Sequence, residues 1–249
     1  MHLSEQGEWK VERAQTAYHR QLQIHEVLPV DEAPIEKLAA DKKIPVMEGK
    51  ESLFSVEPTH NLILHVTRFR DRPEENGTSG PMDAHIYPLL KGISQDNREV
   101  AAPAVLVENT KGDFVGGRWL LINQMVDDRF WQNGGLEAIT EWVAFVGKGV
   151  TEIWLKPNYA TYEPGDKASI TIQIERMVQQ TEEWQFDMTI THQSELVWSG
   201  SETITATDEL EFLRIPVDVP IQKGQYLIEC HATSKSGEKR IFTQGFWGN

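Results

Sequence analysis

Five carboxylates, Asp83, Glu108, Asp113, Asp127 and Asp128, are the first residues of this chain to consider for chemistry. Cleavage of a glycosidic bond needs two carboxyl groups across a cleft, one protonating the leaving oxygen and one acting as base or nucleophile. Asp83 with Glu108 or Asp127 would make such a pair. The chain holds 38 acidic residues, so abundance alone supplies candidates. Asp127 and Asp128 also precede an expected helix, where acids favour the positive end of the helix dipole. The stretch GTSGPMDAHIYPLL places Asp83, His85 and Tyr87 after a Gly-Pro turn. There they either face a cleft or hydrogen-bond the loop backbone. Eight tryptophans add flat apolar faces that serve equally in a core or against a sugar ring. Trp131, Tyr159 and Tyr162 lie near the expected domain junction and are the candidate substrate-binding residues.

Other chemistries find no motif. The eight histidines, at 2, 19, 25, 60, 65, 85, 192 and 231, lack HxxxH or HExxH spacing and a cysteine partner. Neither GxSxG nor a GxxxxGK[ST] nucleotide loop is present. No metal and no cofactor are expected.

Twenty-four basic against thirty-eight acidic residues give a net charge of -14, which repels phosphate backbones and argues against a nucleic-acid partner. No run of about 18 apolar residues exists, so no membrane partner is expected. Cys230 is the single cysteine and cannot form an intrachain disulfide. The amino terminus is polar and has no apolar signal-peptide core. If Met1 is the natural start, that predicts a cytoplasmic protein.

These residues must be positioned by two domains. Residues 149–249 contain seven segments alternating apolar with polar at period two: TEIWLKP, ASITIQIER, WQFDMTITH, LVWSGSETITA, LEFLRIPV, QYLIECHA and KRIFTQGFW. Turn signals separate them, including Pro164-Gly165-Asp166, Lys223-Gly224 and Ser236-Gly237, and Ser199-Gly200 reads as a hairpin. The pattern predicts an immunoglobulin-like antiparallel β-sandwich with Cys230 in its core. Residues 1–148 read as an α/β portion with long loops, so the fold class is α+β, mainly β. Within it, residues 5–20 predict a helix, 21–30 a strand, 35–40 a short helix and 61–69 a strong strand. Residues 70–85 predict a long loop. AAPAVLVEN and GRWLLINQM predict adjacent strands, and DDRFWQNGGLEAITEWVAFVGKG a helix carrying Leu136, Ile139, Trp142 and Val143.

GDFVGGRWLLINQ and the helical segment after it resemble the closing strands and helix of a glutamine-amidotransferase-like α/β domain. That domain belongs to large bacterial glycoside hydrolases of the β-galactosidase kind. EIWLKPNYATYEPGDKASITIQIE resembles the entry to their β-sandwich, and FTQGFWG a sequence that introduces their catalytic barrel. The amidotransferase cysteine has no counterpart, because Cys230 lies in the sandwich segment. The resemblance implies a non-catalytic accessory region of a multidomain carbohydrate-active enzyme. Its expected partners are a carbohydrate and a catalytic domain or neighbouring subunit. A self-contained small glycosidase and a purely structural or oligomerisation module are the alternatives.

Overall fold

The computed structural model describes residues 35–56, 84–124 and 126–249 in full, and the backbone of the strand residues 2–3, 9–10, 24–29 and 62–66. The chain divides into two compact units, Met1–Asp41 with Val46–Lys148, and Lys42–Pro45 with Gly149–Asn249. Antiparallel sheets dominate, so the protein is mainly β. Among the described residues no helix is long and apolar enough to cross a membrane.

In the first unit the strands are β1 (His2–Leu3), β2 (Trp9–Lys10), β3 (Ile24–Pro29), β4 (Lys37–Ala40), β5 (Leu62–Val66), β6 (Ala84–Ile93), β7 (Glu99–Asn109) and β8 (Arg118–Ile122). β1 pairs with β2 and β3 with β5, while β4-β6-β7-β8 form a four-stranded sheet. Every pairing described here is antiparallel. A strand-then-helix order survives, but on an antiparallel sheet rather than the parallel one usual in α/β layers.

Several expectations change. The short helix predicted over residues 35–40 is instead strand β4, where Leu38 and Ala39 pair with Gly92 and Lys91. Ladder pairing to β6 overrides the weak helical preference of two alanines. Trp9–Lys10 is also extended, and the rest of the helix expected at 5–20 lies outside the described residues, as do 70–83 of the expected loop. His85, read as loop, begins β6 beside Ala84.

The single helix expected after β8 is two. α1 (Asp128–Gln132) starts at Asp127, whose Oδ1 accepts from the backbone N–H of Arg129 (3.0 Å) and Phe130 (3.4 Å). Asn133 ends it, and Gly134, at φ +96°, reverses the chain into α2 (Gly135–Val146). Gly135 is required by packing: a Cβ there would collide with the ring and carbonyl of Phe130. α2 buries Gly135, Ala138, Trp142 and Phe145. Leu136 and Val143, from the predicted apolar stripe, are instead exposed.

The second unit contains β9 (Thr151–Pro157), β10 (Thr161–Tyr162), β11 (Ala168–Arg176), β12 (Glu182–His192), β13 (Glu195–Ala206), β14 (Glu211–Val217), β15 (Gly224–Ser234) and β16 (Lys239–Gly248). One sheet runs β14-β11-β9 and the other β10-β16-β15-β12-β13. All seven predicted strand segments are present, and the short β10 joins β16 in parallel. Period-two alternation sends Ile170, Ile172 and Ile174 of β11, Trp184, Phe186, Met188 and Ile190 of β12, and Tyr226, Ile228 and Cys230 of β15 into one shared core. The two layers therefore form a β-sandwich.

Ser199-Gly200 is not a hairpin. β13 runs straight through it, and the ring of Trp198 occupies the space a Cβ on Gly200 would need. The turn sits earlier, at Gln193 and Ser194, both at positive φ (51° and 69°), the backbone sense of tight hairpins. Pro164-Gly165 does turn the chain, with Gly165 at φ +93° and Asp166 N–H donating to the Glu163 carbonyl at 3.0 Å.

Two further buried groups are tied to their surroundings. The Tyr226 hydroxyl accepts from Gln222 N–H (2.9 Å) and donates to the Pro220 carbonyl (3.2 Å). Arg176 Nη1 donates to Glu182 and to Thr151 Oγ1, both at 2.7 Å, so this buried charge is paired. Burial, with a smaller contribution from the Asp187 charge, pushes the Cys230 thiol up to about 12. The thiolate is the reactive form. Native protein at pH 8 is thus expected to leave Cys230 unmodified by a disulfide reagent, with one thiol per chain titrating once denaturant is added. Rapid labelling of the folded chain would contradict this burial.

Candidate functional site

A groove of about 700 Å³ opens between β8 and the two helices of the first unit, with Trp119, Trp131, Ile139, Trp142, Val143 and Val146 in its lining. Local sequence explains its construction. The Asp127 cap and the Gly134 reversal set the two helices in place. Phe130 then lies against Phe54 (5.9 Å) and Trp142 (6.1 Å), with Phe54 and Trp142 stacked at 6.2 Å. Trp131, next in sequence, stands edge-on to Phe130 at 5.0 Å and remains 53% exposed. Trp142 is only 4% exposed, and its indole Nε1 has no hydrogen-bond partner among the described residues.

The wall is braced by a buried ion pair. Glu108 on β7 sits opposite Arg118 on β8, and Arg118 Nε donates to Glu108 Oε1 at 2.7 Å. Arg118 Nη1 also donates to the Phe145 carbonyl at 3.2 Å, and its guanidinium lies 4.6 Å from the Phe145 ring centroid. A cation at the last turn of α2 interacts favourably with the carbonyl end of the helix. One side chain thereby joins the sheet to the helix.

These contacts decide what the candidate carboxylates can do. Glu108 is 3% exposed and engaged by Arg118, so it is a structural anion. Asp127 caps α1, and Asp128 occupies the first turn of that helix. Asp113 lies in the 3-10 turn Gly112–Phe114 of the β7–β8 connection. Asp83 lies outside the described residues. His85 stands across the ladder from Glu108, and its ring centroid is 6.2 Å from that of Tyr87. Among the described residues, no group of three His, Cys, Asp or Glu side chains is arranged to hold a metal ion.

The three predicted sugar-binding residues have different surroundings. Trp131 borders the groove of the first unit. Tyr159, in the second unit, is 63% exposed. Tyr162 is buried at 2% exposure, and its hydroxyl accepts from the N–H of Tyr159 (3.3 Å) and of Ser169 (3.4 Å). Tyr162 packs edge-on to Phe246 at 5.1 Å, so its ring is core and has no free face for a ligand. Sequence reasoning missed Trp142 as a groove residue, because the helical apolar stripe that carries it reads simply as core.

No protein-family model matches the chain, and no curated protein matches it in sequence. In structure it is similar to Spo0M, a sporulation control protein from Bacillus subtilis, with 10% identity and a TM-score of 0.29 over 41% of this chain and 50% of that one. It is also similar to a β-glucuronidase from Bacteroides uniformis, with 9% identity and a TM-score of 0.30 over 38% of this chain and 13% of that one. A β-glucosidase from Listeria innocua matches with 10% identity and a TM-score of 0.28 over 41% and 16%. The chain spans half or less of each of these proteins. Glycoside hydrolases are therefore among its structural neighbours, through local overlaps.

Proposed function

We propose that this chain is a non-catalytic accessory region of a carbohydrate-active enzyme, with the groove of the first unit as its sugar contact. The observation that carries this reading is the half-exposed ring of Trp131 at an apolar groove that Trp119 and Trp142 also line. A pyranose ring offers a flat C–H face and a rim of hydroxyls. Its C–H face would stack on Trp131 while its hydroxyl rim stays in solvent.

Catalysis by the described carboxylates is disfavoured, since Glu108 would have to abandon Arg118 and Asp127 its helix cap. We read the second unit as an immunoglobulin-like platform. Its three-against-five strand order supports this, as does Tyr226, whose hydroxyl ties the start of β15 to backbone just upstream. Such a platform would position a catalytic domain or a neighbouring subunit.

Calorimetric titration of an oligosaccharide panel tests the reading. Trp131→Ala is expected to weaken binding at least tenfold, about 1.4 kcal/mol, with an unchanged melting temperature. Unaltered affinity removes the groove from the proposal. A second reading, a purely structural module, is favoured by Leu136 and Val143, which are 64% and 65% exposed on α2. It predicts no sugar binding and a defined oligomer in light scattering.

A further inference from the structure

Beside the arc it buries, α2 carries a second apolar stripe. Leu136, Ile139, Val143 and Val146 follow a 3-4-3 spacing, which gathers them into an arc of about 80° at 3.6 residues per turn. Gly135, Ala138, Trp142 and Phe145 hold the buried arc next to it. Leu136 and Val143 are exposed, while Ile139 and Val146 are half-buried. The far flank of the stripe is uncharged. Thr140 and Ala144 stand there, and the Thr140 hydroxyl already donates to the Leu136 carbonyl at 3.0 Å. The two acids of the helix, Glu137 and Glu141, lie beyond them, and Glu141 is paired with Lys50 at 2.9 Å.

We infer that this stripe is the seam of a homodimer, in which α2 packs antiparallel against α2 of a second copy. The 3-4-3 spacing reads alike in both directions. A two-fold axis therefore sets Leu136 level with Val146 of the partner subunit, and Ile139 level with Val143 of the partner subunit. The surface also holds both halves of a contact. Ile139, Val143, Val146 and Gly147 line the groove, whereas Leu136 stands outside it as a projecting side chain. The same register brings each Leu136 to the Val146 and Gly147 end of the opposite groove. Covering the stripe strands no charge, and the Thr140 hydroxyl keeps its bond within its own helix. An unrelated protein would need neither the symmetric spacing nor a knob beside its own hole. The inference develops the structural-module reading above and uses one wall of the groove, so a second copy and an oligosaccharide compete for it.

Sedimentation equilibrium of the full chain is the test, on wild type and on Leu136→Glu, Val143→Glu and Leu196→Glu, with thermal melting to confirm that each is folded. Leu196 is 64% exposed on β13 of the second unit and serves as the control. Wild type is expected to dimerise, and more strongly as salt screens the repulsion between two chains of net charge -14. Leu136→Glu and Val143→Glu each place one carboxylate per copy in the seam, and should weaken the dimer by about a hundredfold or more. Leu196→Glu should leave it unchanged. A wild type monomeric at every concentration, a dimer indifferent to both α2 substitutions, or one lost in Leu196→Glu overturns the inference. Sugar binding through Trp131 by a chain that stays monomeric would overturn it while sparing the groove. An α2-dependent dimer that binds no sugar would uphold it and remove the carbohydrate reading.

Discussion

Replacing Arg118 by Met is expected to destabilise the first unit by about 3–5 kcal/mol, the scale for removing one partner of a buried ion pair. The side chains of Arg118 and Glu108 are 0% and 4% exposed, so the buried carboxylate would lose the cation that faces it. The same change removes the hydrogen bond to the Phe145 carbonyl and the cation over its ring, loosening α2 from β8. Denaturant unfolding followed by tryptophan fluorescence is the measurement. Restoring neutrality with Glu108→Leu in the same chain should recover part of the loss, because the orphaned charge disappears. A single-variant loss below about 1 kcal/mol would mean that the pair is solvated in solution.

Trp184→Ala is expected to cost the sandwich about 3–5 kcal/mol, the range for truncating a large buried aromatic. Trp184 is 0% exposed on the inward face of β12, in the core that both sheets share. Among the described residues its indole Nε1 has no hydrogen-bond partner, which separates size from polarity. Trp184→Phe keeps most of the ring and removes the unsatisfied donor, so it should cost much less than the alanine change. Equal losses in the two variants would show that the indole N–H is satisfied after all. The unfolding midpoint of each, by near-ultraviolet circular dichroism, decides the matter.

The sandwich strands were legible in sequence because one face is dry and the other wet, and that contrast prints directly as alternation. Trp184, Phe186, Met188 and Ile190 alternate with Gln185, Asp187 and Thr189, and the ladder follows. Where side-chain packing overrules local signals, the reading slipped. Gly200 looked like a turn but makes room for Trp198, while the true reversal uses Gln193 and Ser194, which carry no glycine signature. β4 was hidden because its pairing partner lies some fifty positions along the chain. The groove was legible only in part. Trp131 stood out by type, but the orphan N–H of Trp142 and the Arg118 brace arise from contacts between segments distant in sequence. Tyr162 shows the converse, a residue type suited to sugars consumed by the core.

The most direct measurement is the indole N–H resonance of Trp131, assigned with Trp131→Phe and followed by proton–nitrogen correlation spectra as oligosaccharide is added to the full chain. A sugar ring stacking on Trp131 should move the resonance progressively, while the signal of Trp184, buried in the sandwich core, stays fixed. A Trp131 signal that stays fixed while the sugar saturates the protein would contradict the account.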